Sequence, residues 1–147
     1  RREMQHASFY AGKAFTRACV GNIHAMAHNL GGLYHVPHGL ANAVVQPLVL
    51  REYGEKIYPQ LAELSDSLAL TSSSCSTEEK AKGFLNWIDQ MNQTMKIPSK
   101  ISEIQKEDLN LLAERAYKEA NPLYPVPVIF STETFHKLFS ALMEDKR

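Results

Sequence analysis

Between Pro37 and Tyr53 the chain is apolar on almost every side, with Leu40, Ala41, Val44, Val45, Leu48, Val49 and Leu50 distributed round the helix they would form. A helix coated in this way belongs at the centre of a structure, with neighbours all round it. Those neighbours read as helices, because apolar residues elsewhere in the chain recur at three- and four-residue spacing. Pro37 suits the first residue of the central helix, where no N–H is needed. Pro47 removes one internal hydrogen bond and should kink the helix, and Gly54 closes it.

The flanking segments extend the pattern. Residues 2–19 carry Met4, Ser8, Ala11, Ala14, Phe15 and Ala18 on one stripe, and Gly12 with the alanines would let another helix come close. This helix has no cap before it and the chain does not open on Met, which reads as a cut piece of a longer protein. Gly21-Asn22 is a break, and a second helix runs from about Ile23 to Gly31 or a little beyond, ended or loosened by Gly31-Gly32. After Gly54, a fourth helix over 55–70 places Ile57, Leu61, Leu64 and Leu68 on a stripe, its regular part starting near Pro59. The polar run TSSSCS at 71–76 leads to a cap at Ser76 or Thr77. The fifth helix then reaches about Asn92, with Ala81, Phe84, Leu85, Ile88 and Met91 inward. Residues 95–105 are mostly loop. A sixth helix over 106–120 turns Leu109, Leu112, Ala113 and Ala116 inward. Three prolines make 121–130 extended, with a trace of strand alternation at 126–130. Ser131 or Thr132 caps a last helix to about Glu144. The expected fold class is all-α, a multi-helix bundle of six to seven helices in one domain over 1–147.

Charge and composition remove several functions. Lys+Arg and Asp+Glu both total 16, so no basic excess points to nucleic acid or to an anionic membrane surface. No apolar run is long enough to span a bilayer, and RREMQHASFY lacks the apolar core of a signal peptide. Cys19 and Cys75 cannot build a disulfide framework; two free thiols suit a reducing compartment, and the cytoplasm is the expected location.

Four of the six histidines fall in one stretch, GNIHAMAHNLGGLYHVPHGLAN at 21–42. His24 and His28 are four apart, hence one turn apart on the same helix face. His38 follows beside Pro37, and the Gly31-Gly32 pair gives the chain room to bring it back to that face. Three converging imidazoles suit iron, zinc, copper or nickel, so a metal or catalytic role is expected for His24, His28 and His38. His35 lies in the loop with no defined direction, while His6 and His136 read as surface residues. Between His24 and His28 stand only Ala25, Met26 and Ala27, so the His-Glu-x-x-His metalloprotease pattern is excluded. Gly-x-Ser-x-Gly, Gly-x-Gly-x-x-Gly and the P-loop are also absent.

The string AFTRACVGNIHAMAHNLGGLYHVPHGLANAVVQP resembles the signature region of the iron-containing (group III) alcohol dehydrogenases. The resemblance rests on Ala14-Phe15, Gly21, His24-Ala25-Met26-Ala27-His28, Leu30-Gly31, Pro37-His38-Gly39, Ala41-Asn42-Ala43 and Pro47. The flanks agree more loosely over the rest of the chain. The resemblance implies the C-terminal helical domain of a two-domain enzyme whose other domain, an α/β unit, binds NAD(P). It implies His24 and His38 as two of four metal ligands, for Fe²⁺ or Zn²⁺, with the other two coming from an Asp-x-x-x-His helix that this sequence lacks. It implies His28 as a proton carrier near nicotinamide and substrate, and Phe15 as a residue of the substrate pocket. Gly39 would allow close backbone approach beside the metal, and Asn42 would orient a neighbouring group.

These expectations define a half-site. The chain should be inactive alone, should hold little metal and no NAD(P), and should need the missing nucleotide-binding domain to act on a small alcohol or aldehyde. The face meeting that domain should be apolar, exposed and near the second and third helices, favouring homo-oligomers. A free-standing helical metal-binding or interaction module is the competing reading, and polyol dehydrogenases or maleylacetate reductases are the competing branches.

Overall fold

The computed structural model describes residues 1–144; the expected domain end at 147 lies outside them. Seven α-helices follow one another among the described residues: α1 Arg2–Ala18, α2 Asn22–Tyr34, α3 His38–Tyr53, α4 Tyr58–Ser67, α5 Thr77–Thr94, α6 Leu109–Ala120 and α7 Thr132–Leu142. Short 3-10 turns precede α4 and α6. The arrangement is all-α, as the periodicity predicts. Residues 121–123 form a turn rather than the expected extended run, with Tyr124 N donating to Ala120 O; 124–130 form no strand, and one isolated bridge joins Ile101 to Met143.

Helices α2 and α3 form the middle of the bundle. They pack on each other, α2 lies against α6, and α3 lies against α5 and α7. The outer pairs are α4 with α5 and α6 with α7. Met26 and Leu30 of α2, Val45 and Val49 of α3, Leu112 of α6, and Phe135, Phe139 and Leu142 of α7 are buried. Phe130, just before α7, joins this core; its ring lies 5.1 Å from that of Tyr53 and 5.6 Å from that of Phe135. Burial pushes the Tyr53 phenol up to about 12, against a smaller opposing pull from Asn22.

The central helix needs outside help because of Pro47. Proline has no N–H, so the carbonyl four residues earlier, that of Ala43, loses its helical donor. Asn92 of α5 supplies the replacement, its Nδ2 donating to Ala43 O at 2.9 Å. Asn92→Ala is therefore expected to lower stability by about 1–2 kcal/mol, the cost of a carbonyl left without its donor. A urea titration reads this as a lower midpoint at unchanged slope. At the other end Gly54 has φ 56° and ψ −141°, backbone that a side chain would strain. Helix α5 begins with a capping box: Glu79 N donates to Ser76 Oγ, and Ser76 N donates to Glu79 Oε2.

Several expectations are corrected. Gly31-Gly32 does not end α2; the helix continues to Tyr34, and His35 makes the reversal at φ 57°. A tertiary anchor outweighs the cost of about 1 kcal/mol for each glycine. Tyr34 Oη donates to Asp108 Oδ2 at 2.8 Å and accepts from Gln105 N at 3.2 Å, tying down the last turn. Pro37 stands just before the first residue of α3 rather than in it. Helix α4 stops at Ser67 because the chain turns at Ala69, φ 52°, where Leu70 N donates to Ser65 O. Its buried face is Leu61, Ala62 and Ser65, leaving Leu64 and Leu68 exposed. Met91 of α5 is also exposed.

The largest departure concerns α1. The expected stripe is present, but α1 buries none of its residues. Nothing lies within 4 Å of where a Cβ on Gly12 would stand, so no helix approaches there. Met4, Phe9, Tyr10 and Phe15 are exposed, whereas α2 and α3 present no large exposed apolar side chain. The exposed apolar face is thus on the first helix, not around the second and third.

Candidate metal and proton-transfer site

His24 and His28 stand one turn apart on α2, and His38 is the first residue of α3. Six residues of helix from His28 to Tyr34 measure about 9 Å. The four Cα steps from Tyr34 to His38 reach at most about 14 Å, enough for the chain to run back that far. His35, in the left-handed conformation, turns it. The result is a triangle of imidazoles with ring centroids 5.5 Å (His24–His28), 5.3 Å (His24–His38) and 5.4 Å (His28–His38) apart.

Each ring has its own surroundings. His24 is half-buried. Burial holds its pKa below the usual histidine value, the nearby His28 and His38 lower it further, and Glu119 opposes them. His24 is therefore held toward the neutral form, the form with a free lone pair. His28 is exposed, and its Nδ1 lies 2.6 Å from Glu119 Oε1, at the end of α6. Tyr124 Oη donates to the same oxygen at 3.0 Å. His38 is held by Asn42, one turn on. Asn42 Nδ2 donates to the His38 carbonyl at 2.9 Å and lies 3.1 Å from His38 Nε2. A carbonyl only accepts, so the amide edge facing His38 carries Nδ2, and Nε2 is the acceptor. Asn42 Oδ1 is left buried and without a hydrogen-bond partner.

A surface hollow of about 380 Å³ opens here, lined by Ile23, His24, His38, Gly39, Asn42 and Gln46. A second hollow, about 390 Å³, lies by Pro47, Arg51 and Asp89 and has no histidine. The structure brings together His24, His28, His38, Gly39 and Asn42. It leaves Phe15 apart, 55% exposed in a groove on α1 with Phe9, Gly12 and Thr16. His35 and His6 are exposed and His136 is half-buried, each outside the triangle.

Glu119 was not legible from motif spacing. One signal did point to it: a carboxylate in the last turn of a helix sits against the negative end of the dipole, an unfavourable place without a partner. His28 is that partner.

The donor chemistry suits a borderline divalent ion as part of a site. His24 is held toward its neutral form, and His38 Nε2 is an unprotonated acceptor whose one lone pair Asn42 occupies, so a metal would have to displace that hydrogen bond. Among the described residues no group of three or more His, Cys, Asp or Glu side chains is arranged to hold a metal ion. The pair thus fits two positions of a coordination shell whose other donors would lie elsewhere.

The model of the Fe-containing alcohol dehydrogenase family, C-terminal, matches residues 1–143. The chain belongs to this family. Alcohol dehydrogenase 4 of Saccharomyces cerevisiae is 38% identical over 137 residues, covering 90% of this chain and 34% of the yeast protein. The NADPH-dependent butanol dehydrogenase of Clostridium saccharobutylicum is 31% identical over 126 residues, 82% of this chain and 32% of that one. In three dimensions the chain superposes on a crystal structure of 1,3-propanediol oxidoreductase with a TM-score of 0.86 and 32% identity, over 93% of this chain and 36% of that one. The chain spans about a third of the length of these relatives. The triangle lies within the stretch that the family's C-terminal model matches. No described helix is long and apolar enough to cross a membrane.

Proposed function

We propose that this chain is the helical, metal-binding part of an NAD(P)-dependent alcohol dehydrogenase that interconverts a primary alcohol with its aldehyde, or an alcohol with a ketone. The observation that carries the reading is the convergence of His24 and His38, with centroids 5.3 Å apart and His24 held toward its neutral form. The relatives' names, an NADPH-dependent butanol dehydrogenase among them, support the reaction class.

The residues divide the work. His24 and His38 hold a divalent ion, Fe²⁺ or Zn²⁺, which when bound supplies Lewis acidity toward the alcohol or carbonyl oxygen. Asn42 favours the His38 tautomer with Nε2 unprotonated by donating to it, and would give up that hydrogen bond when Nε2 binds the ion. Gly39, in the first turn of α3, leaves the hollow open beside His38. His28 carries the proton that leaves the alcohol or returns to the aldehyde oxygen, with one ring nitrogen free to do so. Two further ligands and the groups that bind NAD(P) come from residues other than those of this chain, so the chain alone is inactive and binds little metal.

Two measurements test this. The complete gene product, supplied with a primary alcohol, is expected to reduce NAD(P), to stop when treated with a chelator, and to recover when Fe²⁺ or Zn²⁺ is added. Alcohol oxidation that survives exhaustive chelation overturns the metal role. Calorimetric titration of this chain alone with NAD(P)H is expected to give no heat of binding, and micromolar affinity would contradict the division between the two parts.

A further inference from the structure

The proton carrier of the proposed site has a partner that the family resemblance and the histidine spacing leave out. Glu119 accepts at His28 Nδ1 over 2.6 Å and accepts again from Tyr124 Oη at 3.0 Å. A carboxylate offers only acceptors, so the His28 nitrogen facing it carries the hydrogen. In a neutral imidazole the other nitrogen, Nε2, is then the unprotonated one. Two donors on one oxygen also fix the carboxylate from two sides. Glu119 comes from α6, Tyr124 from the segment after it and His28 from α2, so the bond joins elements brought together by packing.

We propose that Glu119 is the positioning residue of this site, holding His28 as its Nδ1–H tautomer in a fixed orientation so that Nε2 is free to exchange the proton of the alcohol. The inference rests on the dehydrogenase reading for what Nε2 does, but the tautomer itself does not depend on it. The last-turn position of Glu119 supports a specific duty. A carboxylate there is disfavoured by the helix dipole, whereas a residue serving helix stability alone would be basic or neutral. An ion pair holding α6 to α2 is the structural alternative, and the two make different predictions.

The test reads the ring nitrogens of His28 by two-bond ¹H–¹⁵N correlation in the purified chain. The unmodified chain is expected to show His28 as the Nδ1–H tautomer; Nε2–H in that spectrum overturns the proposal without need of any variant. In Glu119→Ala the His28 pattern is expected to move toward Nε2–H, with the backbone amide spectrum otherwise retained. An unchanged tautomer in a folded E119A also overturns it. In the complete gene product, E119A is expected to lower kcat about 10–100-fold, the usual scale for a partner that orients an active imidazole. KM should stay within about twofold, because uniform substrate binding is not removed. A fall in thermal stability with unchanged kcat would mean that the bond only ties the helices. A gene product without dehydrogenase activity would sink the functional reading while leaving the tautomer result standing, so the two failures are distinguishable.

Discussion

With His24 or His38 replaced by alanine, the complete gene product is expected to lose at least ~10²–10³-fold in kcat/KM for alcohol oxidation, the scale of removing one preorganised electrostatic contact. Bound metal should fall in parallel, read by elemental analysis after gel filtration. Each truncation should be tolerated by the fold, because His38 is exposed and His24 half-buried, and neither belongs to the apolar core. His28→Ala provides the contrast. It should lose activity on the scale of general acid–base catalysis, about 10²–10⁴-fold, while metal content stays near that of the unmodified protein. Equal metal loss in all three variants would mean that His28 is itself a ligand and that the separation of roles is wrong. Unchanged metal in the His24 and His38 variants would remove those residues from the coordination shell.

The second large effect is on stability. Phe130→Ala is expected to cost about 3–5 kcal/mol, the range for truncating a buried phenylalanine with partial collapse of the cavity. Phe130 is 2% exposed and lies between Tyr53 and Phe135, so its ring joins the end of α3 to the start of α7. For a domain of this size the loss should lower Tm by roughly 10 °C or more. Phe9→Ala is the control of equal chemistry. Phe9 is 64% exposed on α1, and its removal should change stability by no more than about 0.5 kcal/mol. Similar losses in both variants would place α1 against the core in solution and contradict its exposed position.

How much of this could be read from the sequence differs from element to element. The central place of α3 was legible from its apolar coat, although Leu40, Leu48 and Leu50 are only half-buried and two surface hollows open along the helix. The inward faces of α6 and of most of α5 followed from spacing, and of the two caps expected before α5, Ser76 or Thr77, the structure uses Ser76. The failures share a cause, which is that a stripe shows what a helix can bury and not whether a neighbour is there. The stripe of α1 meets no partner among the described residues, and Leu64, Leu68 and Met91 lie at the edges of faces whose centres are occupied. The Gly-Gly reversal failed because the Tyr34 contacts to Asp108 and Gln105 are distant in sequence. At the site, His24, His28 and His38 were visible as a constellation. Glu119 and Tyr124 reach it only through the packing of α6 on α2, which no local pattern encodes.

The exposure of α1 also has a mechanical meaning. Because the helix buries none of its residues, its direction is set largely by the backbone at its C-terminal end, where Cys19 has φ 60° and ψ −170° and Gly21 is extended. A helix of 17 residues is a rod of about 25 Å. Ten degrees of rotation at that pivot would carry Arg2 through about 4 Å, while Phe15, about 6 Å from the pivot, would move by only about 1 Å. The rod thus magnifies small torsional changes at its far end and suppresses them next to the pivot.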